Sequence, residues 1–132
     1  MIVVDVNTIA YLWIPGQMTE LVERALARDP RWAAPILWRS EFRSILTGYL
    51  RRGQLGPDAA ARCLNAAESQ LAGHEYIVPS FLVMRAARRS TCSAYDCEYV
   101  ALAEDLRTTL VTSDKQILEQ FPRLATSLEG FA

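Results

Sequence analysis

The chain has 132 residues, a length that fits one domain able to enclose a real core. It is 51% hydrophobic and 22% charged, which excludes an intrinsically disordered chain. A formal net charge of −1 excludes a polycation, so any nucleic-acid binding must use a local basic patch.

The first strand is predicted over Ile2 to Val4, a short apolar run that ends in Asp5. A helical segment is predicted near Thr8 to Leu12, interrupted by Pro15-Gly16. Thr19 is placed as the cap of a helix from Glu20 to Ala27, with Asp29-Pro30 as its stop. Trp32 to Ala34 reads as a short strand. Trp38, Phe42, Ile45, Leu46 and Tyr49 recur at helical spacing, which predicts a long helix over Ile36 to Arg52 closed by Gly53. Pro57-Asp58 opens a helix to Leu71, ended by Gly73. Glu75 to Val78 is predicted as a strand and Ser80 to Arg89 as a helix. Ser93 starts another helix that continues to Leu106. Leu110 to Thr112 is a β-rich strand followed by Asp114. A short helix, Lys115 to Gln120, and an edge strand, Ala125 to Leu128, complete the chain. Alternation of apolar runs with helices predicts an α/β fold with a central, mostly parallel sheet of four to five short strands flanked by helices, organised as a single domain over residues 1–132.

No stretch approaches the ~20 apolar residues of a membrane span. Met1 leads straight into the apolar run without a basic leader, so no export signal and a cytoplasmic location are expected. The three cysteines, Cys63, Cys92 and Cys97, are expected to be reduced and packed as small apolar residues. Cys92 and Cys97 are poorly spaced for zinc, and His74 is the only histidine.

Four acids stand out. Asp5 and Asp114 both end strands, and in open α/β sheets ligands gather beyond the carboxyl ends of strands. The competing reading is that each caps the helix after it. Asp96 lies in a nearly apolar helix, in a Ser93-Ala94-Tyr95-Asp96 capping-box pattern that places it at the helix N-terminus. Glu41 falls about 60° from Trp38 around its helix, at the edge of the apolar face, from which it reaches either solvent or a cleft. Carboxylates brought within 4 Å repel by about 4 kcal/mol per pair at an effective dielectric of 20. Protonation or a bound divalent cation relieves that repulsion.

DVNTIAYL at the start, the acid in WRSEFRSIL, YDCEYVALAE and LVTSD together resemble the PIN domain family, most closely the VapC-type toxin ribonucleases of toxin–antitoxin pairs. The resemblance spans essentially the whole chain in order. It implies that Asp5, Glu41, Asp96 and Asp114 surround one or two Mg²⁺ or Mn²⁺ ions. It makes Asn7 the support of the first carboxylate and Thr112 a residue that shapes the site. The implied activity is metal-dependent hydrolysis of RNA, leaving a 5′-phosphate and a 3′-hydroxyl. The composition separately disfavours cleavage by a pair of imidazoles, since only His74 is present. Two alternatives stand beside this reading. One is a catalytically inactive PIN scaffold that binds protein. The other is a haloacid dehalogenase-type phosphohydrolase, whose D-x-D-x-T opening here has Asn7 where its second acid belongs.

Arg43 and Arg89 are candidate phosphate contacts for RNA. The implied partners are an RNA substrate, a cognate antitoxin protein and a second copy of the chain. Leu21, Val22, Leu26 and Trp38 are expected to form the exposed apolar face of that homodimer. Asp5→Asn is expected to abolish cleavage with the fold intact, and to raise stability by relieving repulsion.

Overall fold

Ile2, Val3 and Val4 are all buried, although successive strand residues face opposite sides of a sheet. Strand β1 (Ile2–Val4) is therefore covered on both faces, the situation of a central parallel strand. The computed structural model, which describes residues 1–132, bears this out. After β1 come α1 (Val6–Trp13), α2 (Thr19–Arg28), β2 (Trp32–Pro35), α3 (Trp38–Arg51) and α4 (Pro57–Leu71). Then follow β3 (Glu75–Tyr76), α5 (Ser80–Arg88), α6 (Ala94–Leu106), β4 (Leu110–Val111), α7 (Lys115–Gln120), β5 (Ala125–Thr126) and α8 (Leu128–Phe131). The five strands form one sheet in the order β3-β2-β1-β4-β5, every neighbouring pair parallel. Helix α6 lies across β1, β2 and β4, and α5 packs on it. Helices α1, α3 and α4 pack on one another, with α4 against β2.

The α/β expectation holds, with local differences. Helix α1 starts at Val6 rather than Thr8, because Asp5 caps it. Thr19 is the first residue of α2, not its cap. Its hydroxyl accepts from the Gly16 backbone N–H across the turn at 2.9 Å. The closing helix α8 was not expected. Ser127 caps it, and Arg28 of α2 stacks on Phe131, 4.8 Å from the ring centre. Cys92 and Cys97 are buried as expected, whereas Cys63 is only partly so; all three are free thiols.

The expected dimer face is corrected. Val22 and Trp38 are fully buried, and Leu21 and Leu26 are half-buried. Helices α2 and α3 turn their apolar stripes inward onto other helices of the same chain. The most exposed large apolar side chains are Ile77, Phe81, Met84 and Tyr95, after β3, on α5 and at the start of α6. No helix is long and apolar enough to cross a membrane.

At the β3 edge, Glu75 ties the sheet to α3. It accepts from the Trp38 indole at 2.7 Å and from Arg39 Nε and Nη2 at 2.6 and 2.8 Å. The Arg39 hydrogen bonds hold the Glu75 carboxyl below the usual carboxylate range. The unfolded chain then binds this proton more readily than the fold, so the stabilisation is present above the ordinary glutamate value and fades as acid protonates Glu75. Glu75→Ala is expected to cost about 2–3 kcal/mol at pH 7, since it leaves a buried indole N–H without its acceptor and the Arg39 guanidinium with Glu68 alone. Urea unfolding at neutral pH checks the loss. Repeating it in acid should show wild type and variant converging.

Candidate active site

The chain builds β2 and β3 on one side of β1, then returns to place β4 on the other side. The reversal leaves a crevice beyond the carboxyl ends of β1 and β4, where ligands of open α/β sheets bind. Asp5 follows β1 and Asp114 lies just beyond β4, so the topology brings both to this switch point.

Asp5 is held by both carboxylate oxygens. Oδ1 accepts from the Thr8 backbone N–H at 2.9 Å and the Thr8 hydroxyl at 2.8 Å. Oδ2 accepts from the Thr112 hydroxyl at 2.8 Å, the Ser113 N–H at 2.9 Å and, more weakly, the Ser113 hydroxyl at 3.4 Å. Donors from the β1–α1 turn and from the end of β4 thus aim this carboxylate and leave it little freedom to rotate. The capping reading and the site reading coexist here, since Asp5 is also the N-cap of α1.

The same economy recurs. Asp114 caps α7 through Oδ1, which accepts from Ile117 N–H at 2.9 Å, while its own N–H donates to the Thr112 hydroxyl at 3.0 Å. Ser93 caps α6 by accepting from Asp96 N–H at 3.1 Å, which places the Asp96 carboxylate in the first turn. Anions there are favoured by the partial positive charge of the helix start. Glu41 comes from α3, and the Tyr99 hydroxyl donates to its Oε1 at 2.6 Å.

Asp5, Asn7, Glu41, Asp96, Thr112 and Asp114 line one cavity of about 110 Å³, together with Val6, Tyr99 and Ile117. The electrostatics are those of crowded acids. Burial, then the neighbouring Asp96, Asp5 and Glu98 charges, push Glu41 above the usual carboxylate range against the opposing Tyr99 bond. Burial and the Asp114 charge push Asp96 up in the same way. The donor set is all oxygen, the chemistry that suits hard divalent cations. As the side chains stand, no three of the acids are close enough together to ligate one ion directly.

A sequence model of the PIN domain matches residues 2–124. The chain belongs to the PIN domain family. Ribonuclease VapC3 of Pyrobaculum aerophilum is 33% identical over 128 residues, covering 95% of this chain and 98% of that relative. Ribonuclease VapC9 of Mycobacterium tuberculosis is 36% identical over 118 residues, covering 89% of this chain and 88% of that relative. The crystal structure of PAE2754 from Pyrobaculum aerophilum superposes with a TM-score of 0.77 at 23% identity. The match covers 98% of this chain and 91% of that one, a likeness of fold.

Within this PIN domain two expected contacts differ. Asn7 does not reach Asp5. Its amide donates to the Ser113 hydroxyl at 3.0 Å, so it acts on the first carboxylate through Ser113. Arg89 is engaged within the chain. It donates to Glu104 at 2.6 Å and lies over Phe121, clasping α5 to α6. Arg43 is exposed but lines a separate groove between α3 and α4.

Three residues of the PIN site were not expected from the sequence. Thr8 and Ser113 orient Asp5, and Tyr99 holds Glu41. Thr8 had a local signal, since Asp5-x-x-Thr8 is the spacing of an N-cap and the residue whose N–H it accepts. Tyr99 had none, because it reads as one more apolar residue of α6.

Proposed function

We propose that this PIN domain is a metal-dependent endoribonuclease, the toxin of a toxin–antitoxin pair. The observation that carries the reading is the convergence of four carboxylates on one cavity at the switch point of the sheet, two from strand ends and two from helices. The ribonuclease names of the VapC relatives supply the substrate class. Asp5, Glu41, Asp96 and Asp114 would hold Mg²⁺ or Mn²⁺. A divalent cation there supplies Lewis acidity and offsets negative charge on the phosphate oxygens.

The protein's own groups divide the work. Asp5 is the rigid anchor, aimed by Thr8, Thr112 and Ser113. Asp114 uses Oδ1 as a cap, which leaves Oδ2 for the cavity. Glu41 and Asp96 face the same cavity, where a cation would offset the charge that burial and the neighbouring acids make costly. In-line attack at phosphorus with the 3′ oxygen leaving gives a 5′-phosphate and a 3′-hydroxyl. Arg43, exposed at the groove between α3 and α4, has no carboxylate partner and is the one of the two arginines free to meet a phosphate. Arg89 is paired with Glu104.

The partners proposed are RNA, an antitoxin protein and a second copy of the chain. Exposed Ile77, Phe81, Met84 and Tyr95 supply the apolar face for that copy. A monomer in sedimentation at micromolar concentration would contradict the dimer.

The test of activity is direct. Purified protein is incubated with end-labelled single-stranded RNA in Mg²⁺ or Mn²⁺, and in excess EDTA. Cleavage is expected only with metal and is expected to return when metal is restored. RNA that stays intact in both metals overturns the reading.

A further inference from the structure

Glu41 is the one acid of the cavity that belongs to no helix-capping motif. Asp5 and Asp114 are N-caps whose carboxylates accept from their own helices, and the Ser93 cap fixes the Asp96 backbone in the first turn of α6. Glu41 lies at the start of α3, whose N-cap, Leu37, makes no side-chain bond, and its carboxylate accepts no hydrogen bond from its own helix. What reaches it is Tyr99, 58 residues away on α6, at 2.6 Å. Tyr99 is 3% exposed and lies on the helix that also carries Asp96, three residues earlier. Its phenol is surrounded by acids: Glu41, Asp5 and Glu98 all act on it and, with burial, raise its affinity for its proton far above the phenol range. A phenol ordinarily keeps its proton at neutral pH, so the hydroxyl is the donor and the Glu41 carboxylate the acceptor.

We propose that Tyr99 is the positioning residue of Glu41. Its hydroxyl pins Oε1 and leaves Oε2 as the unshared oxygen for the cation that the other acids hold. The inference rests on reading these acids as a cation site. It goes further by giving a tyrosine of the apolar helix face a role in metal affinity. It also explains how an acid on the third helix is kept from swinging to solvent. Partners that orient metal ligands typically change metal affinity 10–100-fold when removed.

Mn²⁺ alone is the probe, titrated without RNA and read by loss of the free-ion electron paramagnetic resonance signal. Tyr99→Phe keeps the ring that fills the core, and is expected to raise the Mn²⁺ dissociation constant about 10-fold. In a Glu41→Gln background the same change should have no further effect, because the carboxylate it positions is gone. In RNA cleavage, Tyr99→Phe should lower kcat and leave KM for RNA unchanged. Glu41→Asp is the second variant. It keeps the charge but draws the carboxylate out of reach of Tyr99, and should lose Mn²⁺ affinity to a similar degree. Unchanged Mn²⁺ affinity in Tyr99→Phe and Glu41→Asp overturns the proposal, as does an equal loss with and without Glu41. If those variants match a wild type whose Mn²⁺ binding Asp96→Asn abolishes, Tyr99's role fails and the cation site stands. If wild type binds no Mn²⁺, both fail.

Discussion

Asp96→Asn is expected to abolish metal-dependent RNA cleavage, by about 10³-fold or more, while raising the melting temperature of the metal-free protein. The activity loss amounts to ~4 kcal/mol of transition-state stabilisation at 1.36 kcal/mol per tenfold. The fold should survive because Ser93 caps α6 through the Asp96 backbone N–H, which the substitution leaves in place. The stability gain comes from charge. Burial and then the Asp114 charge raise the Asp96 carboxyl above its usual range, so the fold disfavours the ionised form. Between the ordinary aspartate value and the raised one, the folded state binds more protons than the unfolded state. Stability therefore falls as pH rises through that window and stays lowered at neutrality. Asparagine never carries that charge. The variant's advantage should be present at pH 7 and vanish in acid. Added Mn²⁺ should reverse the order, since an ion at a hundredfold its dissociation constant stabilises wild type by about 2.7 kcal/mol. Thermal melts with and without Mn²⁺, at neutral and acid pH, read all of this. A metal-free variant that melts below wild type at neutral pH contradicts the electrostatic account, and full cleavage by the variant contradicts the site.

Asp5→Asn is expected to remove activity equally and to destabilise the fold by about 2–3 kcal/mol, the opposite sign for the same chemical change. Charge relief alone would make it stabilising, which is the expectation from the sequence. The structure reverses it. Asp5 accepts hydrogen bonds on both oxygens, and two of the donors are backbone N–H groups, of Thr8 and Ser113, that cannot turn away. An asparagine presents an NH₂ group to one of these sides, so a buried N–H faces another donor. The hydroxyls of Thr8 and Thr112 can rotate, which limits the cost but does not abolish it. Urea unfolding of the metal-free variant decides the matter. Greater stability than wild type would mean that repulsion among the acids outweighs the network around Asp5.

The two variants also mark how far the sequence could be read. Asp5 and Asp114 were legible because an apolar run ending in an acid is visible within a few residues. Asp96 was legible through its Ser93 spacing. Glu41 was not decidable, because helical periodicity gives only its angle about the α3 axis, at the edge between core and solvent. Arg89 showed the same gap from the other side. Its charge was plain, but Glu104, its partner, is 15 positions away on another helix. From the sequence Val22 and Trp38 read as exposed, because apolar periodicity identifies a stripe without saying whether the cover is this chain or a second copy. Here α2 and α3 already cover theirs, and the uncovered side chains lie around α5.

By itself the sequence determined the parallel α/β architecture, the oxygen-only chemistry of the candidate site and the family resemblance. These follow from residue types and short spacings, which act through local backbone preference and burial. Only the tertiary structure decided which oxygens of those acids are free and which are held. Thr112 and Ser113 reach Asp5 across 107 and 108 residues, and Tyr99 reaches Glu41 across 58. A hydrogen bond exists only within a few tenths of an ångström of its ideal length. No sequence spacing encodes that closeness between residues so far apart. It exists once β4 pairs beside β1 and α6 packs across both.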